Sequence, residues 1–482
     1  MTKKLKIVLA CDTFAPDING AARFAERLAG GLARRGHDVH VIAAAFDSSH
    51  GTRTETHDGA QITLHRIRSH RIPNHKTLRW PEPWGIQKMV KGLLEELKPD
   101  ALHVQSHLLV GRFAIKAARQ TGTKVIATNH IMPENLIKYS MLPKFTHQAA
   151  MTIVWKDAGR ILSKMDAVTT PTRRAAELLE KAAGLEGVLA ISCGIDASRF
   201  ANASPTSNTN PVFLFLGRLD DEKRIHVLLR AVASLTDFPN VRVELVGDGG
   251  ERENLQRLAK ELGISDRVAF LGHINDDELP DAYERCTAFV MPSIAELQSI
   301  ATMEAMASGR PVIGANAMAL PHLVHDGDNG YLFTPDDHVD LASKLRLVLQ
   351  ADQVELDRMS ENSVHLIQAH DINRTLDIFE NLYQGIGDLA ATTPDNDPSY
   401  QLPIGRLSQS VAEKLAELRA EAVELRKKAS ELSSEARERI GQASQEVKEQ
   451  LEEIREDVRE QIDEIKDNVK RQAKRIKKRL EP

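Results

Sequence analysis

Cysteine is scarce in this chain: Cys11, Cys193 and Cys286 are the only three in 482 residues. Their wide separation offers no zinc-ligand spacing and no disulfide framework, and suits unpaired thiols in a reducing compartment. Charge of one sign is also lacking. A formal net charge of -5 gives no whole-chain reason to expect a nucleic-acid partner. No apolar run approaches the roughly 18 residues that a spanning helix needs. The opening MTKKLKIVLACDTF has the look of a lipoprotein signal ending at Cys11. Its apolar run, Ile7 to Ala10, is too short for a signal core and reads as a buried first strand. Any membrane contact is therefore expected to be peripheral.

What the chain does have is length, with 42% apolar and 27% charged residues. Two globular domains and an appendage are expected, because a single core stops growing well before this size. KIVLAC, DVHVIAA, ALHVQS and KVIATNH read as short strands, separated by helix patterns such as AARFAERLAGGLARRGH and GRFAIKAARQTG. Strands alternating with helices imply right-handed crossovers and a parallel sheet covered on both faces. The rhythm restarts after the polar segment ASPTSNTNP, with VFLFLGRL, VRVELVGDG, VAFLGHI, AFVMPS and PVIGAN. The expectation is an α/β chain of two doubly wound, Rossmann-like domains, 1–203 and 204–388, facing a cleft. Ligands of such sheets bind beyond the carboxyl ends of the strands.

A linker, 389–405, precedes a different kind of sequence. From Val411 to Ala436 apolar residues recur at spacings of four and three, a heptad pattern. From Ile440 to Leu480 the spacing becomes four, three, four, an eleven-residue repeat that drifts little around a straight helix. Residues 406–482 are expected to be long amphipathic or coiled-coil helix. Between Glu446 and Val469 there are ten acidic and four basic residues, whereas Lys470 to Leu480 holds seven basic and none acidic. The basic end suits an anionic membrane surface, and the narrow apolar seam suits homo-oligomerisation through the tail; the two readings are compatible.

Four stretches carry chemistry. In FAPDINGAARFAERLA, Asn19-Gly20 opens a helix after the first strand, where glycine lets a ligand approach and free amides favour anions. In GRLDDEKRIH, Arg218 and Lys223 follow a strand; a planar fork and a point charge suit a diphosphate, though solvated surface charges would look the same. Gly247, Asp248 and Gly249 form a glycine-rich turn that fits either a nucleotide or a plain tight connection. In AELQSIATMEAMASGRPVIG, a helix expected to begin near Ser299 carries Glu296 before it and Glu304 within it. Those two carboxylates can accept hydrogen bonds from two separate sets of hydroxyls.

The Glu, seven residues, Glu spacing followed by EAMASGRPVI resembles the retaining GT-B glycosyltransferases of family four over roughly residues 5 to 385. The resemblance implies that Glu304 holds the nucleotide ribose and Glu296 the donor-sugar hydroxyls. Amides along Leu297, Gln298, Ser299 and Ile300 would contact sugar or phosphate, and Arg218 with Lys223 the diphosphate. Gly20 would lie at the donor and acceptor junction. His130, in IATNHIMPEN, matches a histidine near the donor sugar, and the pocket around His273 and Ile274 would select the base. The neighbouring MPEN resembles members that glycosylate membrane lipids. Many relatives place Gly-Phe-Gly or Gly-Leu after the first Glu, where this chain has Leu297, Gln298 and Ser299, so the sugar is left open.

The resemblance thus implies a hexosyltransferase moving glucose or mannose from UDP-glucose or GDP-mannose with retention. Catalysis would rest on His130, Glu296, Arg218 and Lys223, with no metal and no other cofactor. The favoured acceptor is a membrane glycolipid or diacylglycerol-type lipid, with the protein cytoplasmic and peripheral on the inner face of the cell membrane. A soluble acceptor, and a degenerate scaffold working through its coiled tail, are the alternatives.

Overall fold

The computed structural model describes residues 3–17, 19–47, 50–71, 79–132, 147–200 and 209–385. The expected linker and helical tail, 389–482, lie outside the described residues.

The strands are β1 (Lys6–Ala10), β2 (Asp38–Ala44), β3 (Gly51–His57), β4 (Ala60–Ile67), β5 (Ser69–Arg71), β6 (Arg79–Pro81), β7 (Ala101–Val104), β8 (Val125–Thr128), β9 (Ala167–Thr170), β10 (Leu189–Ala190), β11 (Val212–Leu216), β12 (Arg242–Val246), β13 (Val268–Gly272), β14 (Ala288–Met291), β15 (Val312–Ala315) and β16 (Gly330–Phe333). The first sheet runs β10-β9-β8-β7-β1-β2-β4-β3 and the second β13-β12-β11-β14-β15-β16. All neighbours pair in parallel except β3, which returns antiparallel on β4 at the edge. The central strands read as unbroken apolar runs because helices bury both their faces. GTRTETH lacks that run, which is why β3 escapes a search for buried strands; most of it is exposed.

In both sheets the strand order reverses beside the first strand, between β1 and β7 and between β11 and β14. Loops leaving adjacent strands on opposite sides open a crevice there, and this is where doubly wound sheets take ligands.

The helix Gly20–Arg34 begins where Asn19 accepts the Ala22 N–H at 2.9 Å and buries Phe24, Ala25, Leu28 and Leu32. It packs against the last described helix, Ile372–Gln384, with Phe24 and Phe379 rings 5.9 Å apart. The second half, expected to extend to residue 388, therefore returns its final helix to the first sheet. Tyr383 completes the return, its hydroxyl 2.7 Å from His103 Nδ1. The outgoing and returning chains are joined where Ile195 N–H donates to His370 O and Ile372 N–H to Ile195 O. Gly194 fits this crossing because an added Cβ would meet Ile372 and Thr375 at 2.8 Å, and its φ is +72°.

Candidate active site

The loops at the two crevices line one cavity of about 210 Å³. Gly20 opens the helix that follows β1, His130 comes from the loop after β8, Arg218 and Lys223 from the segment after β11, and Glu296 to Ile300 from the loop after β14 and the first residue of its helix. Nine expected site residues thus meet in one place. Asn19, Pro171, Cys193 and Glu222 complete much of the wall.

On the first-half side, Asp12 fixes the loops. It accepts from Val110 N–H at 2.6 Å, Gly111 N–H at 3.4 Å and the Ser106 hydroxyl, while its burial pushes its carboxyl upward. His130 is half-buried, tilted against the Phe24 ring, with Nε2 3.0 Å from Gln105 Oε1. Gln105 is set in turn by its amide nitrogen, 3.4 Å from His103 Nε2. Gln105 therefore presents its carbonyl to His130, so Nε2 carries the proton and Nδ1 remains an acceptor. Burial lowers the His130 pKa to about 4, which keeps the ring neutral near pH 7.

On the second-half side, cations and carboxylates interlock. Arg218 reaches Asp220 and, at 2.8 Å, Glu222; Lys223 Nζ lies 2.5 Å from Glu296 Oε1. Burial pushes the Glu296 carboxyl up, but Lys223, Ser293 and Arg218 outweigh it and hold its pKa below the ordinary value. Gly247 and Gly249 lie behind this loop. A Cβ at Gly247 would fall 1.9 Å from Gly217 O, and one at Gly249 2.4 Å from Leu219 O. These glycines are required by backbone packing that seats the Arg218 loop. Asp248 contributes its carbonyl to Leu219 N–H at 3.0 Å and is itself exposed.

The expected helix is Ile300–Ala307, one residue later than anticipated. Ser299 precedes it at φ 68°, a left-handed conformation that serine adopts at a cost and glycine does not. Buried Gln298 grips the crossing between the halves: Oε1 accepts Cys193 N–H at 2.7 Å and Nε2 donates to Ser192 Oγ at 2.8 Å. The Thr172 hydroxyl donates to Leu297 O at 2.9 Å. The loop bearing Glu296 is thereby tied to both halves.

Glu304, His273 and Ile274 do not line the cavity. Glu304 is buried, with Oε1 2.6 Å from Arg27 Nη2 and Oε2 accepting from the Tyr283 hydroxyl at 3.0 Å. His273 is exposed and Ile274 packs against the core. Sequence reasoning missed Arg27, Gln105, Thr172, Glu222 and Tyr283. Arg27, Gln105, Thr172 and Tyr283 each act across 21 or more residues, whereas Glu222 lies only four residues past Arg218, an i,i+4 spacing that was there to be read. The three cysteines are free and buried. Among the described residues no group of three or more His, Cys, Asp or Glu could hold a metal ion, and no helix is long and apolar enough to cross a membrane.

Against known families, the Glycosyltransferase Family 4 model matches residues 18–199 and the Glycosyl transferases group 1 model residues 196–365. Together they run through both halves of the cleft. The chain is a family four glycosyltransferase. This glycosyltransferase is 27% identical over 341 residues to a GDP-mannose-dependent alpha-mannosyltransferase of Mycolicibacterium smegmatis, covering 69% of the chain and 85% of that relative. In fold it is similar to the sucrose-phosphate synthase of Thermosynechococcus elongatus, with a TM-score of 0.66, 21% identity, and 79% and 99% of the two chains covered. Anabaena HepE, solved with UDP and glucose, aligns at a TM-score of 0.61 and 20% identity over 80% of this chain and all of that one. The GT-B architecture and hexosyl transfer from a nucleotide sugar follow for this enzyme.

Proposed function

We propose that this glycosyltransferase moves glucose or mannose, with retention of anomeric configuration, from UDP-glucose or GDP-mannose to a membrane glycolipid or diacylglycerol-type acceptor. The observation that carries the donor half is the convergence of Arg218, Lys223, Glu296, His130 and the amides before Ile300 on one cavity between two sheet crevices. A GDP-mannose-dependent relative and a UDP-bound fold neighbour support the two donors.

In this reading the bond from the anomeric carbon to the diphosphate oxygen breaks while a bond to the acceptor oxygen forms on the same face. The acceptor proton passes to a phosphate oxygen, so no protein nucleophile is needed. Negative charge growing on the diphosphate is met by Arg218, Lys223 and the N-terminal amides of Ile300–Ala307, groups already oriented before reaction. Glu296 accepts from sugar hydroxyls, and neutral His130 accepts a hydrogen bond from one hydroxyl at Nδ1 as a positioning contact. Glu304 binds the ribose. Closure of the cleft excludes water, which would otherwise divert transfer to hydrolysis.

The lipid acceptor is supported by the basic stretch Lys470 to Leu480, by roughly 1 kcal/mol of attraction per cation at an anionic surface. That stretch supports a peripheral position on the inner face of the cell membrane, and the heptad pattern before it supports association of copies through the tail. The test is a donor screen with total membrane lipid, comparing the full chain with one ending at Leu389 and reading lipid labelling and free-sugar release. Labelling from one donor, reduced in the shortened chain, is the expected result. Donor hydrolysis without lipid product would move the acceptor to a soluble molecule, and no turnover of any donor would favour the scaffold reading.

A further inference from the structure

Two arginines of one helix cross the cleft. Arg23 and Arg27, four residues apart on Gly20–Arg34, share one helix face and both reach acids of the second half. Arg23 engages both carboxylate oxygens of Asp276, three residues past His273. Arg27 engages Glu304. We propose that these arginines are a clasp on the nucleoside end of the donor site, and that the nucleoside of the donor enters by displacing them. The inference rests on the reading of Glu304 as the ribose carboxylate and extends it to what controls access.

The geometry argues for a clasp over a permanent strut. Both Glu304 oxygens are already taken, one by Arg27 and one by Tyr283, and the Glu304 side chain is only 5% exposed. A ribose diol therefore has no approach to that carboxylate while Arg27 stays. The other terminal nitrogen of Arg27, Nη1, is buried with no hydrogen-bond partner. A structural ion pair this deep is stable when every donor is satisfied, and an orphan donor costs free energy that departure would recover. Arg23 also has somewhere to go: Glu26, one turn along, lies 3.8 Å away and is steadied by His57 Nδ1 at 2.9 Å. The contact with Asp276 is more open, with side chains 28% and 38% exposed, so the clasp can loosen from this outer pair inward.

The test is calorimetric binding of UDP and of GDP to the full chain for the parent, Arg27→Met, Asp276→Asn and Glu304→Ala. A clasp predicts that Arg27→Met and Asp276→Asn each tighten the preferred nucleotide about fivefold or more, the scale of ordinary site coupling. Thermal unfolding checks that each variant folds. Asp276→Asn acts at a half-exposed position and keeps the test valid if Arg27→Met does not fold. Weaker binding in the arginine variant would make Arg27 a nucleotide contact, and unchanged binding in both would leave a structural pair; either overturns the clasp. Glu304→Ala is expected to weaken binding. If it does not, the ribose reading fails first, whereas its weakening beside unchanged Arg27→Met and Asp276→Asn removes the clasp alone.

Discussion

Lys223 Nζ lies 2.5 Å from Glu296 Oε1, so a cation expected on the diphosphate and a carboxylate expected on the sugar hold each other. Both are largely buried, with side-chain exposures of 15% and 11%. Removing either leaves the other charge in a poor environment. Lys223→Ala and Glu296→Ala are each expected to lower kcat/KM by on the order of 100-fold, as for loss of one preorganised charge contact. The double variant should fall well short of the product of the two losses, because they share one interaction. Steady-state kinetics on the four proteins checks this, and fully multiplicative losses would show that the pair is not a unit.

His130 is expected to act as a neutral ring. Its pKa, lowered to about 4 by burial, puts its titration below the physiological range. The kcat/KM profile from about pH 5.5 to 8 should therefore show no limb due to His130, where an ordinary histidine titrates near 6.5. His130→Asn should lower turnover without reshaping that profile. A limb near 6.5 that disappears in the variant would instead make His130 a proton-transfer group.

Acid stability follows from the same burial. His130, His103, His370 and His65 are held at about 4, 3, 3 and 4, each chiefly by desolvation. Because these folded values lie below the unfolded value, the unfolded chain binds more protons between about pH 3 and 6.5. Stability is therefore complete above that window and falls as the pH drops through it. The urea midpoint should decline steadily from pH 7 to pH 4.5, and His103→Gln should flatten part of the decline.

Gln298 ties the donor loop to the crossing between the halves. Gln298→Ala strands the Cys193 N–H, a penalty of about 1–3 kcal/mol for a buried group left unpaired, whereas Ser192 Oγ keeps His370 Nδ1 at 2.9 Å and the Gly194 N–H at 3.2 Å. Chemical denaturation should report it. Donor KM should rise as well, since the loop carrying Glu296 loses its anchor. Gln298→Glu retains the acceptor for Cys193 and should recover part of the loss.

The sheets were legible in sequence because buried parallel strands are continuous apolar runs; KIVLAC and VFLFLGRL announce themselves. The edge strand Gly51–His57 was not, since its polar residues face solvent. The return of Ile372–Gln384 to the first sheet is equally hidden, as an amphipathic pattern states that a face is buried but not against what. At the site, Arg218, Lys223 and Glu296 were legible by type and spacing, and the same spacing marked Glu304, which lies outside the cavity. Their partners were not: Arg27 meets Glu304 across 277 positions, and Gln298 meets Cys193 across 105. The glycine turn fitted either a nucleotide or a tight connection in sequence, and the close approach of Gly247 to Gly217 supplies the tight connection's physical reason.

The most direct test of retaining hexosyl transfer at this cavity is the anomeric configuration of the product. The full chain would be incubated with UDP-glucose or GDP-mannose and membrane lipid, and the anomeric signal of the purified product read by NMR beside that of Glu296→Ala. A single donor giving a lipid-linked hexose with the donor's own configuration, lost in the variant, is the predicted result. An inverted product, or one that Glu296→Ala forms as fast, would contradict the account.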